Sequence, residues 1–237
     1  MGAGLYAYYK LSKFPRKIKK DNFSVYLGPE FSKSEIGEVL KNNNLDFEWY
    51  QSEKKLLEIV SRLLFEQKII GWFQGRMEWG PRALGNRSIL ASAAKEEMKD
   101  IINSKVKHRE MFRPFAPVIP EEDVKKYLKI DKNISPSIKY MLFVYPFKKE
   151  GLKKAKATVH VNGTGRVQTI TRKDNPRYYR LLKVYEKLSK VPILVNTSFN
   201  VRGEPIVTTP EDAVNCFLKT EIDYLVIDKF LVRKSKK

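Results

Sequence analysis

The chain holds one cysteine and two histidines among 237 residues. A single thiol, Cys216, excludes an intrachain disulfide framework and a cysteine metal cluster, and two histidines give little support to a zinc site or a Cys-His nucleophilic pair. Long apolar runs are missing too. Nothing approaches the roughly 18 residues that mark a membrane span, and the N-terminus, MGAGLYAYYKLSK, lacks an apolar signal core. These absences point to a cytoplasmic chain with no membrane partner and no metal ligands of its own. Acidic residues are few, 27 against 46 lysines and arginines, which leaves a formal charge of +19. Such an excess attracts nucleic acid, anionic surfaces or phosphorylated small molecules. Much of it is lysine scattered as on any solvated surface, with denser runs at Lys17, Lys19 and Lys20, at Lys148 to Lys156, and at Arg233, Lys234, Lys236 and Lys237.

Hydrophobic periodicity organises the rest. The first 31 residues stand apart: residues 2–12 have the pattern of a short amphipathic helix carrying Leu5, Tyr8, Tyr9 and Leu11, and a basic linker runs on through Lys20. Ser32 and Glu35 have capping-box spacing before a helix to about Asn42. After a short strand at 47–50, Ser52 opens a helix to Gln67 whose buried face is Leu56, Leu57, Val60, Leu63 and Leu64. Strands are expected at 69–73, 89–93, 115–119, 139–146, 157–161 and 191–196, and YLVIDKFLV supplies one or two more. Helices are expected over 95–104, over 176–190, and from the Thr209–Pro210 cap to Lys219. The alternation gives an α/β domain with a mixed sheet.

Four segments break this regularity. GRMEWGPRALGNRS, from Gly75 to Ser88, alternates glycines with Arg76, Arg82 and Arg87, so three planar, permanently charged donor forks sit on one short flexible loop. That is a design for a polyanion, most directly phosphate groups; a solvated basic loop is the alternative. KVKHREMFRPFAP, from Lys105 to Pro117, carries Lys107, Arg109 and Arg113 among prolines and phenylalanines that stiffen and wall the cations. HVNGTGRVQTI sets Arg166 in a turn, and its His160, alternating with Val159 and Val161, reads as a polar-face strand residue rather than a base. VNTSFNVRGEP places Asn196, Ser198, Asn200 and Arg202 at the end of a buried strand, where ligands of open α/β sheets bind. The Asn and Ser residues also suit plain turn chemistry.

Together, and in this order, GRMEWGPRALGNRSILA, NSKVKHREMFRPFAP, HVNGTGRVQTI and LVNTSFNVRGEPIVTTPEDAV resemble the C-terminal domain of the carbamoyltransferase family that includes nodulation and antibiotic O-carbamoyltransferases. The resemblance runs from about Tyr26 to the end. It implies a YrdC-like fold, a twisted mixed sheet flanked by helices, that binds carbamoyl phosphate and ATP, with magnesium, and forms carbamoyladenylate. An N-terminal domain resembling the actin-like ASKHA fold then transfers the carbamoyl group to a hydroxyl. Here residues 1–25 look like only a remnant helix and basic linker of that domain, ahead of the YrdC-like domain at 26–237, and the transfer domain's metal-ligand histidines are absent. The expectation is a fragment, a split-gene subunit or a stand-alone adenylating domain whose complete reaction needs a separate partner.

Forming an acyl adenylate brings a carbamate oxygen to the α-phosphorus of ATP while pyrophosphate leaves, a step that asks for fixed cations rather than a protein nucleophile. By motif position Arg82, Lys107 and Arg113 are the catalytic cations and Arg166 binds phosphate or the carbamoyl group. Asn196 and Ser198 bind nucleotide phosphates or a magnesium-bound water. Arg76, Arg87, Arg109 and Asn200 are further binding candidates, and Glu78, Glu110 and Glu204 are suited to orienting arginines. Other readings are a tRNA or nucleic-acid binding module, threonylcarbamoyladenylate synthesis, and a non-catalytic subunit that docks through the N-terminal helix.

Overall fold

The computed structural model describes residues 2–12, 15, 24–130 and 134–234. Its elements in chain order are α1 (Gly2–Leu11), α2 (Lys33–Asn42), β1 (Asp46–Trp49), α3 (Glu53–Phe65), β2 (Ile70–Phe73), β3 (Arg87–Ser92), α4 (Glu97–Ile102), β4 (Ala116–Pro120), α5 (Val124–Tyr127), β5 (Val144–Pro146), α6 (Lys149–Lys154), β6 (Thr164–Arg166), β7 (Gln168–Ile170), α7 (Pro176–Ser189), β8 (Leu194–Ser198), α8 (Pro210–Lys219), β9 (Tyr224–Ile227) and β10 (Phe230–Arg233). The helix starts reflect local chemistry. Ser32 and Glu35 close a reciprocal capping box on α2, Thr209 and Asp212 do the same on α8, and the Asn175 side chain accepts from Tyr178 N ahead of Pro176 in α7. The basic linker expected through Lys20 and the lysines at 236 and 237 lie outside the described residues.

Eight strands form one mixed sheet in the order β1-β10-β9-β2-β3-β8-β4-β7. Only β2–β9 and β4–β7 pair in parallel; Ile70 lies opposite Tyr224. Successive residues of the central strands feed opposite faces, as the period of two requires: in β3, Ile89 and Ala91 join one core and Leu90 the other. One face packs against α3 and α7 through Leu56, Leu57, Val60 and Leu64 against Tyr178, Leu181, Leu182 and Tyr185. The other face is covered by α2 and α8, with Ile36, Leu40, Val214 and Phe217 buried there. Burying each such side chain contributes roughly 1.5–3 kcal/mol, so the sheet is a rigid platform for the loops at its edges. A separate two-stranded ribbon, β5 with β6, stands beside β4. Among the described residues no helix is long and apolar enough to cross a membrane.

Three expected elements differ. The alternating stretch 157–161 is no strand: a 3-10 turn spans Lys156–Thr158, Ala157 N donates to Ala93 O at 3.1 Å, and His160 enters a tight turn. Of 139–146, only Val144–Pro146 is extended, because a 3-10 helix over Pro136–Tyr140 ends with Met141 in the left-handed region. The helix expected over 95–104 continues as a π turn over Asn103–Lys107, closed by His108 at φ 46°. Arg166, expected in a turn, ends β6.

Candidate functional site

The glycine-arginine loop does not hold its three arginines together. Glu78 is buried inside it, and its Oε1 accepts from the backbone N–H groups of Leu84 (2.7 Å), Asn86 (2.7 Å) and Arg87 (3.2 Å). That one carboxylate folds the loop over itself. Gly85 makes the fold possible: its φ is +113°, and a Cβ there would meet the Tyr178 ring at 2.2 Å. The Arg87 side chain consequently points into the protein. It is fully buried, stacked 3.6 Å from the Phe73 ring, and donates to the carbonyls of Gln74, Asn86, Gly75 and Pro29. Burial lowers its pKa to about 10, against the opposing charges of Glu78 and Glu30. Arg87 therefore braces the loop, a correction to its expected binding role. Arg76, donating to Leu27 O, likewise lies outside the cavity that Arg82 lines.

Arg82 alone of the three reaches this cavity, a space of about 500 Å³ where the 81–83 loop, the 107–116 segment, β6 and the end of β8 meet. Lys107, Arg109, Arg113, Arg166, Asn196, Ser198, Asn200 and Arg202 line it as well, so four separate sequence motifs converge on one space. No carboxylate belongs to the lining. Electrostatically the cavity is a cluster of cations held against their mutual repulsion, which favours any polyanion that enters.

The π turn delivers Lys107. The extra residue per turn rotates its side chain under β8, where Nζ donates to Ser198 O (2.5 Å), Asn200 O (2.8 Å) and Asn200 Oδ1 (2.8 Å), with Ser198 Oγ at 3.3 Å. Burial, followed by the charges of Arg109 and Arg113, brings its pKa down to about 7. Asn103, at the start of the turn, organises the loop on its C-terminal side: its Oδ1 accepts from Arg109 Nε at 2.7 Å, and its Nδ2 donates to the carbonyls of Arg113 (3.1 Å) and Met111 (3.4 Å). Arg109 stacks on Phe115, and burial together with Arg113 lowers its pKa to about 10. At the rim, Glu110 pairs with Arg113 at 3.8 Å and with Arg202 at 3.2 Å.

Asn196 is nearly fully buried at the cavity wall. Its orientation is set by a carbonyl: Gln168 Nε2 donates to Leu84 O (2.8 Å), which turns Gln168 Oε1 towards Asn196 Nδ2 at 2.5 Å. The donor end of Asn196 also reaches Ala83 O at 3.3 Å. Its N–H groups thus hold the loop that carries Arg82, which leaves the unpaired Oδ1, rather than an N–H, for the expected contact with phosphate or a magnesium-bound water. Ser198 Oγ donates to Asn200 Oδ1 at 2.7 Å, while Asn200 Nδ2 donates to Glu204 O.

Sequence reasoning did not foresee three contributors: Asn103 and Gln168, which act from behind the lining, and His160, which belongs to it. The signal for His160 was the HVNGT turn, with Gly163 at φ +75°, rather than the strand-like alternation around it. Burial and then Arg166 lower the His160 pKa, and burial with Arg82 and Arg113 lowers that of Arg166. Among the described residues no cluster of three His, Cys, Asp or Glu is placed to hold a metal ion.

Comparison with known proteins agrees with the motif order. A family model described as "Carbamoyltransferase C-terminus" matches residues 61–234. Nodulation protein NolO of Bradyrhizobium diazoefficiens is 40% identical over 99% of this chain and 42% of its own length. The chain spans between 24% and 43% of the length of curated relatives that it matches. Among solved structures, full-length HypF in the phosphate- and nucleotide-bound form superposes with a TM-score of 0.52 at 22% identity, covering 76% of this chain and 26% of HypF. A doubly substituted Sua5 of P. abyssi gives 0.50 at 17% identity, covering 75% of this chain and 49% of its own. The fold is the YrdC-like one that both share.

Proposed function

Because the chain belongs to the carbamoyltransferase C-terminus family, we propose that it binds carbamoyl phosphate and ATP and forms carbamoyladenylate, which a separate ASKHA-like domain transfers to a hydroxyl acceptor. The observation that supports this reading best is the convergence of Arg82, Lys107, Arg109, Arg113 and Arg166 on one cavity free of carboxylates. Its volume, about 500 Å³, lies in the range of small-molecule sites. A second cavity of about 430 Å³ shares Arg82 and Arg166 with it and is walled by Trp79, Tyr140 and Leu142, an apolar neighbour suited to a nucleobase.

The reaction runs in two displacements. Water cleaves carbamoyl phosphate to carbamate and phosphate; a carbamate oxygen then bonds to the α-phosphorus of ATP as the bond to the β-phosphate oxygen breaks and pyrophosphate leaves with that electron pair. Charge grows on phosphoryl oxygens in both. Arg82, Arg113 and Lys107 meet it, with Arg166 and Arg109 binding the phosphates, and each well-aimed donor is worth about 3–4 kcal/mol by the measure of an oxyanion hole. The cavity's own side chains do not fit a magnesium site, since none is a carboxylate; the ion belongs with the nucleotide's phosphates and water.

Incubation with ATP, magnesium and carbamoyl phosphate tests the reading through pyrophosphate release. Arg82→Ala, Lys107→Ala and Arg113→Ala are each expected to lower the rate at least about 100-fold while leaving the fold intact. Near-wild-type release by all three would reject these roles.

A further inference from the structure

His160 stands out because every other titratable side chain lining the cavity is a lysine or an arginine. Its protonation pattern can be worked out from one unambiguous donor. The backbone N–H of Thr164 points at Asn162 Oδ1 at 3.3 Å, so the oxygen end of that amide faces Thr164. The Thr164 hydroxyl lies 2.7 Å from the same oxygen and must spend its single hydrogen there. What remains on Thr164 Oγ1 is acceptor capacity, and His160 Nδ1, 3.0 Å away, is therefore the donor. A neutral imidazole with hydrogen on Nδ1 carries its lone pair on Nε2. Backbone bonds close the turn, His160 N donating to Thr164 O at 2.7 Å and Gly163 N to His160 O at 2.8 Å, and the Nδ1 contact with Thr164 holds the ring upon it.

From this we infer that His160 is a specificity-determining residue, whose Nε2 accepts a hydrogen bond from the amide N–H of the carbamoyl group. This role rests on the proposed carbamoyl phosphate site. Cations in the lining recognise the phosphate that carbamoyl phosphate shares with every acyl phosphate, whereas an acceptor recognises the NH₂ that acyl phosphates such as acetyl phosphate lack. A polar site that loses its partner group rejects the analogue, since its acceptor is left unpaired.

Two stable phosphonates separate these contributions: phosphonoacetamide, and 2-oxopropylphosphonate, in which a methyl replaces the NH₂. Titration calorimetry on the protein is expected to show the amide binding about tenfold or more tightly than the ketone, a ratio worth about 1.4 kcal/mol. His160→Leu is expected to bring the ratio to about one while inorganic phosphate still binds. His160→Gln, whose amide oxygen reaches as far as Nε2, restores the preference. Acidification of the wild type protonates Nε2 against burial and the charge of Arg166, in a lining that also holds Arg82 and Arg113, so the ratio falls as pH falls once each phosphonate's own ionisation is corrected for. Equal affinities in the wild type, or an unchanged ratio in His160→Leu, would overturn the inference. If the leucine variant fails to bind phosphate, the wild-type pH profile decides: a ratio constant with pH overturns the inference. Loss of binding by phosphate and both phosphonates in the wild type would instead reject the carbamoyl phosphate site itself.

Discussion

Lys107 carries an ammonium group into a buried place beside two guanidinium groups, and burial with those charges brings its pKa down to about 7. An anion in the cavity favours the charged form, so binding above that pH draws a proton onto Nζ. Just below pH 7 that proton is already present and affinity levels off, down to the lower pH at which His160 gains its own proton; above pH 7, affinity falls by up to about tenfold per pH unit until the pKa of the bound state is reached. Sulfate, which does not titrate here, is the probe, with calorimetry in buffers of different ionisation enthalpy reading the proton uptake directly. Lys107→Met is expected to abolish both the uptake and the slope, and a flat profile in the wild type would reject the assignment. At this scale the sequence was legible where charge and spacing suffice: Arg82, Arg109, Arg113 and Arg166 read as cations for an anion and line the cavity. It misled where orientation depends on one distant contact. Nothing in GNRS says that Glu78 will gather three backbone N–H groups and turn Arg87 inward.

The π turn at Asn103–Lys107 is the element on which the site hangs. Asn103 ties it to the adjoining loop through three side-chain hydrogen bonds, which hold Arg109 and the carbonyls of Met111 and Arg113. Asn103→Ala removes all three bonds, an expected cost of about 1–3 kcal/mol in chemical denaturation. Sulfate affinity is expected to fall with it, although Asn103 is outside the lining; unchanged affinity would show that the loop holds its shape alone. Helices were legible because their signals are local: Ser32 with Glu35, Ser52 with Lys55 N, and Thr209 with Asp212 each bond within three residues. The π turn was not, since one inserted residue leaves hydrophobic periodicity almost unchanged. ATVHV failed as a strand for a related reason. Its alternation is real, but its backbone bonds go to Ala93 and to the His160–Thr164 turn instead of a neighbouring strand.

At the scale of the molecule, the charge of +19 is a long-range field that attracts nucleic acid irrespective of the cavity. Duplex RNA is expected to bind weakly and to lose about tenfold or more in affinity between 50 and 200 mM salt, with the same slope in the wild type and in Arg82→Ala. Saturable tRNA binding that survives 200 mM salt and fails in Arg82→Ala would favour the nucleic-acid module instead. The class of fold was readable from the alternation of helix and strand patterns, whereas strand order was not, because pairing across the whole sequence leaves no local trace. The sheet joins Ile70 to Tyr224, and β8, with Asn196 and Ser198 on it, lies between β3 and β4. A ribosome making this chain delivers β2 long before the partner strand that completes its far side. Early strands must wait with an open edge, which makes for slow folding and exposure to aggregation. The cavity, built from both halves of that order, cannot exist on a nascent chain until β8 has threaded between its neighbours, so the anion that we propose it holds has nothing to bind before folding is nearly finished.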